Sequence, residues 1–356
     1  MKRVPLIKKL RLNHDLSTDE LRYLLTSLTQ ENDPHRDGGK EYLFAQARQV
    51  RETAYGKEVY IRGLIEFSNY CRNDCYYCGI RKSNRKVERY RLTQDEIMNC
   101  VREGYFLGFR TFVLQGGEDM WFTRERLADI IRAIKSEYPD CAVTLSVGER
   151  SEEDYRCWKE AGADRYLLRH ETAVDKHYCQ LHPADMSLRN RKDCLYRLKK
   201  SGYQIGAGMM IGTPGQTLEY LIEDIRFLQD LQPHMIGIGP FIPHKDTPFA
   251  EKNKGSTELT LIMLSILRLI FPDVLLPATT ALATVSEDGR KRGLMAGANV
   301  VMPNLSPVQV RDQYTLYDKK VSTGAEAAQS VELLGKCVRE IGYHIVTDRG
   351  DSHITY

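Results

Sequence analysis

No stretch of this chain stays apolar long enough to cross a bilayer. The longest such segment, 259–271, contains Ser265 and Arg268 and falls short of the ~20 residues a spanning helix needs. The basic amino terminus, residues 1–15, has no apolar core of the kind a signal peptide requires, so the sequence predicts a cytoplasmic protein without membrane contact. Charge of one sign is also scarce: 51 Lys and Arg stand against 48 Asp and Glu, interspersed along the chain, and a formal charge of +3 offers no basic groove for nucleic acid. A disulfide framework is not implied. The nine cysteines are odd in number, and six of them, at 100, 141, 157, 179, 194 and 337, stand singly in mostly apolar or helical surroundings, as small buried hydrophobes do. Phosphate-cradling glycine loops are missing as well. There is no Walker motif, and Gly206-Ala207-Gly208 is followed by Gly212 instead of a glycine three places on, which weakens a doubly wound, dinucleotide-binding reading.

The other three cysteines are clustered. Cys71, Cys75 and Cys78 follow the strand-like run 59–67 and lie in a loop with Asn69, Asn73 and Asp74, poor strand and helix formers. Three thiolates at spacings of four and three residues can wrap one corner of a small metal cluster, and no cysteine or histidine follows in the next twenty residues to close the set. Structural zinc and electron-transfer 4Fe-4S sites are closed by four ligands, so neither fits well. A cubane held by three thiolates keeps one iron open. The spacing resembles the signature of the radical S-adenosylmethionine (SAM) enzymes, with Tyr77 as the aromatic residue their motif places before the last cysteine.

Around the triad the chain alternates short apolar runs with amphipathic helical stretches. Ser17 and Glu20 form a capping box opening a helix to about Leu28, and a second helix is expected over 40–55. Strands are predicted at 58–66, 110–115, 141–147, 164–169, 204–211, 234–239, 274–279 and 298–302. Helices are predicted at 94–106, 123–138, 151–161, 187–202, 217–231, 256–271, 285–295 and 324–342. Such alternation demands a parallel sheet with right-handed crossovers, and eight units allow it to close, so the expected fold is a complete (β/α)8 TIM-type barrel. The domains expected are an N-terminal helical extension (1–56), the barrel (57–322) and a C-terminal helix and tail (323–356). Each predicted strand is followed by a polar or Gly-rich cluster, where barrel enzymes carry their chemistry.

Five blocks in order, 166–173, 206–217, 237–248, 277–281 and 297–304, are similar to the HydE family, the radical SAM maturases of FeFe-hydrogenase. The resemblance runs from about Val59 to Tyr317. It implies one 4Fe-4S cluster on Cys71, Cys75 and Cys78, with SAM chelating the open iron and cleaved reductively to a 5′-deoxyadenosyl radical. It places Tyr77, Gln115, Gly116, Gly117, Glu118, Thr144, Ser146, Arg169, Glu171, Arg191 and Tyr314 around SAM, and Arg62, Met235, Thr279, Thr280 and Met302 along an inner substrate cavity. Ordinary rim ion pairs and barrel core layers are the competing roles for these positions. The implied substrate is a small organometallic iron complex bearing carbonyl, cyanide and cysteine. The implied partners are an external one-electron donor of flavodoxin or ferredoxin type and, transiently, other hydrogenase maturases. Some members carry a second cluster on three further cysteines after the eighth strand, but 319–336 here has none, so a single cluster is expected. The rivals are an amino-acid mutase of the methylornithine synthase type, a biotin-synthase-like sulfur inserter and a non-catalytic iron-sulfur carrier. The Arg169-His170-Glu171-Thr172 and Pro277-Ala278-Thr279-Thr280 blocks favour the maturase.

Overall fold

The computed structural model describes residues 2–30, 38–321 and 327–354. In chain order the strands are β1 (Glu58–Ile61), β2 (Gly63–Ser68), β3 (Thr111–Gly116), β4 (Ala142–Ser146), β5 (Arg165–Leu167), β6 (Gln204–Ala207), β7 (Met210–Ile211), β8 (Met235–Ile236), β9 (Gly239–Pro240), β10 (Val300–Val301) and β11 (His344–Val346). All ladder pairings among them are parallel. A six-stranded sheet runs β2-β3-β4-β5-β6-β8, a three-stranded sheet β10-β1-β11, and β7 pairs with β9. Helices cross between the strands and cover the sheet, which gives the α/β layering that the alternating pattern predicts.

The continuous eight-stranded ladder is not formed. The predicted strand 58–66 divides at Arg62, its lower half pairing with β10 and its upper half with β3. The run 204–211 breaks at Gly208, whose φ is +150° and where a Cβ would meet the Gly237 carbonyl oxygen at 2.0 Å. The run 234–239 likewise yields two short strands. The predicted strand 274–279 makes only single bridges, Met235 with Leu275 and Pro277 with Val300, so the ladder stays open between β8 and β10. Pro277 has no N–H to extend it. Side chains take over there: the buried Arg268 guanidinium donates to the carbonyls of Pro272, Val274 and Gly297, and Asn299 Oδ1 accepts from Leu276 N at 2.8 Å. Burial, which outweighs the opposing influence of Tyr55 and Asp273, holds Arg268 down at about 10.

Ser17, Thr93 and Ser151 each close a capping box, so the helices Thr18–Thr29, Gln94–Phe106 and Glu152–Glu160 begin where their sequences indicate. The 256–271 prediction becomes the helix Thr257–Ile270, buried along nearly its whole length and packed on the helix Gly39–Tyr55. That explains an apolar segment too short for a membrane, and among the described residues no helix is long and apolar enough to cross one. Four helices of the described residues lie outside the predictions: Arg3–Asn13, Asp175–Leu181, Thr280–Val285, which is separate from Gly289–Met295, and Val308–Arg311. The carboxyl-terminal helix is seen over Ala327–Arg339, and the start predicted for it at 324 lies outside the described residues.

The segment after β11 crosses the amino-terminal ends of the strands. The Arg349 carbonyl accepts from Thr111 and Arg165, Gly350 O accepts from Arg62 Nη2 at 3.3 Å, and Asp351 pairs with Arg165 at 2.6 Å. His353 stacks on Tyr55 with ring centroids 4.6 Å apart. Because Thr111, Arg165 and Gln204 open β3, β5 and β6, this tail covers the end of the sheet opposite the cysteine loop.

Candidate functional site

The cysteine loop leaves β2 at the carboxyl end of the sheet and is held by charged side chains acting on backbone. Asp74 accepts from Arg81 Nε at 2.7 Å and from Ser83 N at 2.9 Å, and these contacts hold its carboxyl far below the usual carboxylate range. Arg89 fans four N–H bonds onto the carbonyls of Asn69, Ile80, Arg81 and Asn84. Asn69 ties the start of the loop to Glu88 O and Gln313 O, both at 2.8 Å. The loop is thus built before any ligand binds.

Burial pushes all three thiols up, Cys78 to about 12 and Cys75 well beyond its ordinary value, and each of the two is raised further by its neighbours in the triad. The sulfurs therefore lie within electrostatic reach of one another, and ionising them in this pocket calls for the positive charge of a metal centre. Among the described residues no three His, Cys, Asp or Glu side chains converge to hold one ion. A cluster differs from a single ion in that each of the three thiolates would take a different iron.

Gly116 and Gly117 end β3 directly beside this loop. A Cβ on Gly117 would come within 2.2 Å of Tyr70 O and 2.8 Å of Cys71 Cβ. Glu118 is engaged in the frame: Oε2 accepts from Arg72 Nε at 2.9 Å and Oε1 from Glu149 N at 2.8 Å. Ser146 stands beside Gln115 in register across β3 and β4. Tyr314 is buried near Gln115, and its phenol is pushed up by burial and by Glu66.

Tyr77 reaches His182, with OH and Nε2 3.0 Å apart. His182 Nδ1 faces the Tyr178 carbonyl at 3.0 Å, so Nδ1 carries the proton and the Tyr77 hydroxyl donates to Nε2. Burial, helped by the charge of Arg191, keeps this imidazole neutral by lowering it to about 3.

Several charged atoms nearby are buried and incompletely satisfied. Arg169 Nη2 lies 3.0 Å from Glu171 Oε2, and Arg191 Nε lies 2.8 Å from Glu149 Oε1. Neither contact is aligned as a hydrogen bond, and all four atoms lack a hydrogen-bond partner. Glu171 holds a φ of +66°, rare for a side chain of its size, with its N–H on Gly208 O at 3.0 Å. Beneath it, the fully buried His170 and Asp224 lie 3.3 Å apart, and Asp224 also accepts from Ala173 N at 2.5 Å.

Below the rim is a cavity of about 160 Å³ whose wall includes Gln115, Arg169, Met235, Thr279, Thr280 and Met302. A second space, of about 10 Å³ and so no larger than a water, lies by Arg62, Thr144, Arg165 and Met235. Arg62 is fully buried, with Nη1 2.9 Å from Met235 Sδ and Nε unpartnered. Thr144 faces this second space, away from the cysteine loop, with its hydroxyl unpartnered. Four ionisable side chains of the wall are absent from the sequence prediction: Glu66, Arg290, Tyr317 and Lys320. Glu66 and Lys320 form a buried ion pair, and Asn304 Nδ2 donates to Glu66 at 2.8 Å. Glu66 was visible as an acid inside an apolar strand, but its partner lies 254 residues away.

A model of the Radical SAM superfamily matches residues 65–228, which contain the triad and the rim residues up to Arg191. The [FeFe] hydrogenase maturase subunit HydE of Thermotoga maritima is 46% identical over 305 residues, covering 86% of this chain and 87% of that protein. The 3-methylornithine synthase of Methanosarcina acetivorans is 30% identical over 318 residues, with coverage of 89% and 87%. Among solved structures, methylornithine synthase (PylB) superposes with a TM-score of 0.83 at 27% identity, covering 96% of this chain and 97% of that one. HydG from Carboxydothermus hydrogenoformans gives 0.80 at 22% identity, covering 96% and 79%, a likeness of fold. With its three cysteines on a preformed loop near a cavity, and nearly half of the 305 aligned residues shared with the Thermotoga protein, the chain belongs to the HydE family within the radical SAM superfamily.

Proposed function

We propose that this chain acts in assembly of the di-iron cofactor of FeFe-hydrogenase, on a small iron complex carrying carbonyl, cyanide and cysteine. The observation that carries the reading is the placing of unsatisfied polar atoms. Arg169, Glu171, Arg191 and Thr279 all present buried groups without hydrogen-bond partners at the carboxyl end of the sheet, beneath the cysteine loop. Buried polar groups left open in this way mark where a polar ligand belongs.

Cys71, Cys75 and Cys78 would hold one 4Fe-4S cluster, and the Gly116-Gly117 turn would let the backbone approach SAM. Once bound, the cluster and SAM supply a 5′-deoxyadenosyl radical after one electron arrives from a flavodoxin- or ferredoxin-type donor. The protein's part is to orient SAM, through Glu171, Arg169 and Arg191, and to keep water from the cavity. Met235 and Met302 give that cavity a soft apolar wall, while Thr279, Thr280 and, deeper, Arg62 donate to anionic or carbonyl ligands. The reading includes a single cluster, since 319–336 has no cysteine, a cytoplasmic location and transient docking to sister maturases. It also includes a ring of eight strands. The bridges Leu64 to Asn304, Met235 to Leu275 and Pro277 to Val300 support that closure.

The test is complementation: an extract lacking only its HydE should regain FeFe-hydrogenase activity when this chain is added. The relationship to 3-methylornithine synthase sets the counter-experiment. No recovery of hydrogenase, together with SAM-dependent rearrangement of lysine by the purified enzyme, would replace the maturase reading with a mutase.

A further inference from the structure

The charges on the cavity wall do not balance. Glu66 is held by Lys320 and Asn304, and Arg169 lies beside Glu171, which leaves Arg290. Its neighbours in sequence are both engaged at the surface, Lys291 with Glu340 and Arg292 with Glu258. Arg290 has no carboxylate among the described residues, and its Nε is sealed from solvent without a hydrogen-bond partner. Its placement is imposed by Gly289, where a Cβ would meet Leu282 O at 2.1 Å, so the helix Gly289–Met295 can seat closely against the segment following Thr279. Thr279 Oγ1, on the same wall, is likewise buried and unpartnered. Burial lowers Arg290, and the Cys337 thiol is the source of opposing charge that acts on it.

A guanidinium with no carboxylate partner and a hydroxyl with no hydrogen-bond partner on the wall of one cavity suit a carboxylate, which can accept from both. The wall offers nothing comparable to an ammonium group, because the Glu66 carboxylate is already engaged by a lysine and an amide. A free amino acid would leave its ammonium without a counter-charge in a buried site, which is costly. A cysteine chelated to iron through sulfur and nitrogen has no ammonium and still displays a carboxylate oxygen.

Resting on the maturase reading, we propose that Arg290, assisted by Thr279, recognises the outward carboxylate oxygen of a metal-chelated amino acid and selects against ligands that bring a free ammonium group. Arg290 is then a specificity-determining residue, separate from the groups that hold SAM.

The experiment pairs a deletion in the protein with one in the substrate. The probes are the iron(II) dicarbonyl cyanide complex of cysteine and the same complex of cysteamine, which lacks the carboxylate. Turnover of each is measured for the wild type, Arg290→Met and Arg290→Lys. The wild type should prefer the cysteine complex in kcat/KM by roughly tenfold to a hundredfold, the range of a charged hydrogen bond. Arg290→Met should bring that ratio close to one, mainly through KM, and Arg290→Lys should restore part of it. The SAM-induced change in the cluster's EPR signal should persist in both variants. A ratio in Arg290→Met equal to the wild-type ratio overturns the inference and leaves the maturase reading standing, as does a wild type that uses both complexes equally well. A wild type that turns over neither complex overturns both. Should Arg290→Met fail to fold, the wild-type ratio and the Arg290→Lys ratio still decide.

Discussion

Gly117 approaches Tyr70 so closely that a Cβ at this position would lie 2.2 Å from the Tyr70 carbonyl oxygen. The clash is with backbone of the cysteine loop, which Arg89 and Asn69 pin from the other side. Gly117→Ala should therefore displace the loop and lower the iron retained after anaerobic reconstitution well below about four per chain, the content of one cubane. Wild-type iron and an unaltered EPR signal in the variant would refute this, and a wild-type content near eight irons would point to a second cluster.

Glu171 combines a left-handed backbone with a buried carboxylate, and substitutions can separate the two. Glu171→Gln and Glu171→Gly should both weaken SAM binding or cleavage while leaving cluster absorption intact. Because a non-glycine residue at positive φ is strained by roughly 1 kcal/mol, Glu171→Gly should be more stable than Glu171→Ala by about that amount. Titration of SAM followed by EPR, with urea denaturation of the variants, checks both halves. An unchanged SAM response would return Glu171 to a purely structural role.

The Thr279 hydroxyl is buried without a partner, so its removal should not harm the ligand-free protein. Thr279→Val is expected to keep or slightly raise the melting temperature, since an unsatisfied buried hydroxyl is replaced by a methyl. Thr279→Val/Thr280→Val should nevertheless reduce hydrogenase maturation more than it reduces uncoupled SAM cleavage. Equal loss of both activities would place these hydroxyls in cofactor handling instead.

Asp351 links the tail to the sheet and depends on pH. Burial acts against its ionisation, but hydrogen bonds from Arg349 and the charge of Arg165 hold it down at about 2. A carboxyl lowered from an unfolded value near ~3.9 contributes stability that is fully present above that value and is lost as pH falls toward the folded one. With its side chain 40% exposed the contribution is screened and small, so the useful readout is local. Amide exchange across 348–354 should be faster in Asp351→Asn at neutral pH, and the difference should vanish near pH 2. No difference at neutral pH would mean that the tail is held by its backbone contacts alone, and a pH-independent one would mean that the charge of Asp351 is not what matters.

What the sequence revealed divides by distance along the chain. Capping boxes and helical periodicity depend on near neighbours, and the helices at Ser17, Thr93 and Ser151 start where those signals stand. The triad was legible for the same reason. Arg89 was not, because a guanidinium serving four backbone carbonyls leaves no residue pattern to read. The strand expected at 274–279 looked regular because its residues are apolar, yet Pro277 and the Arg268 and Asn299 contacts support it as a non-ladder segment. Glu66 with Lys320, and Arg290 with its empty surroundings, depend on pairings or vacancies across distant parts of the chain. The short helix Asp175–Leu181, which carries Tyr178 and leads into His182, lay in a polar stretch too brief for periodicity to register.

The tail that spans the amino ends of β3, β5 and β6 covers that end of the sheet, opposite the cysteine loop. On the maturase reading, a ligand seated by Met235 lies beneath whatever occupies Gln115 and Arg169, so the two cannot pass one another. On that reading the iron complex is expected to enter before SAM and to leave after methionine and the nucleoside, and excess SAM added first should slow turnover.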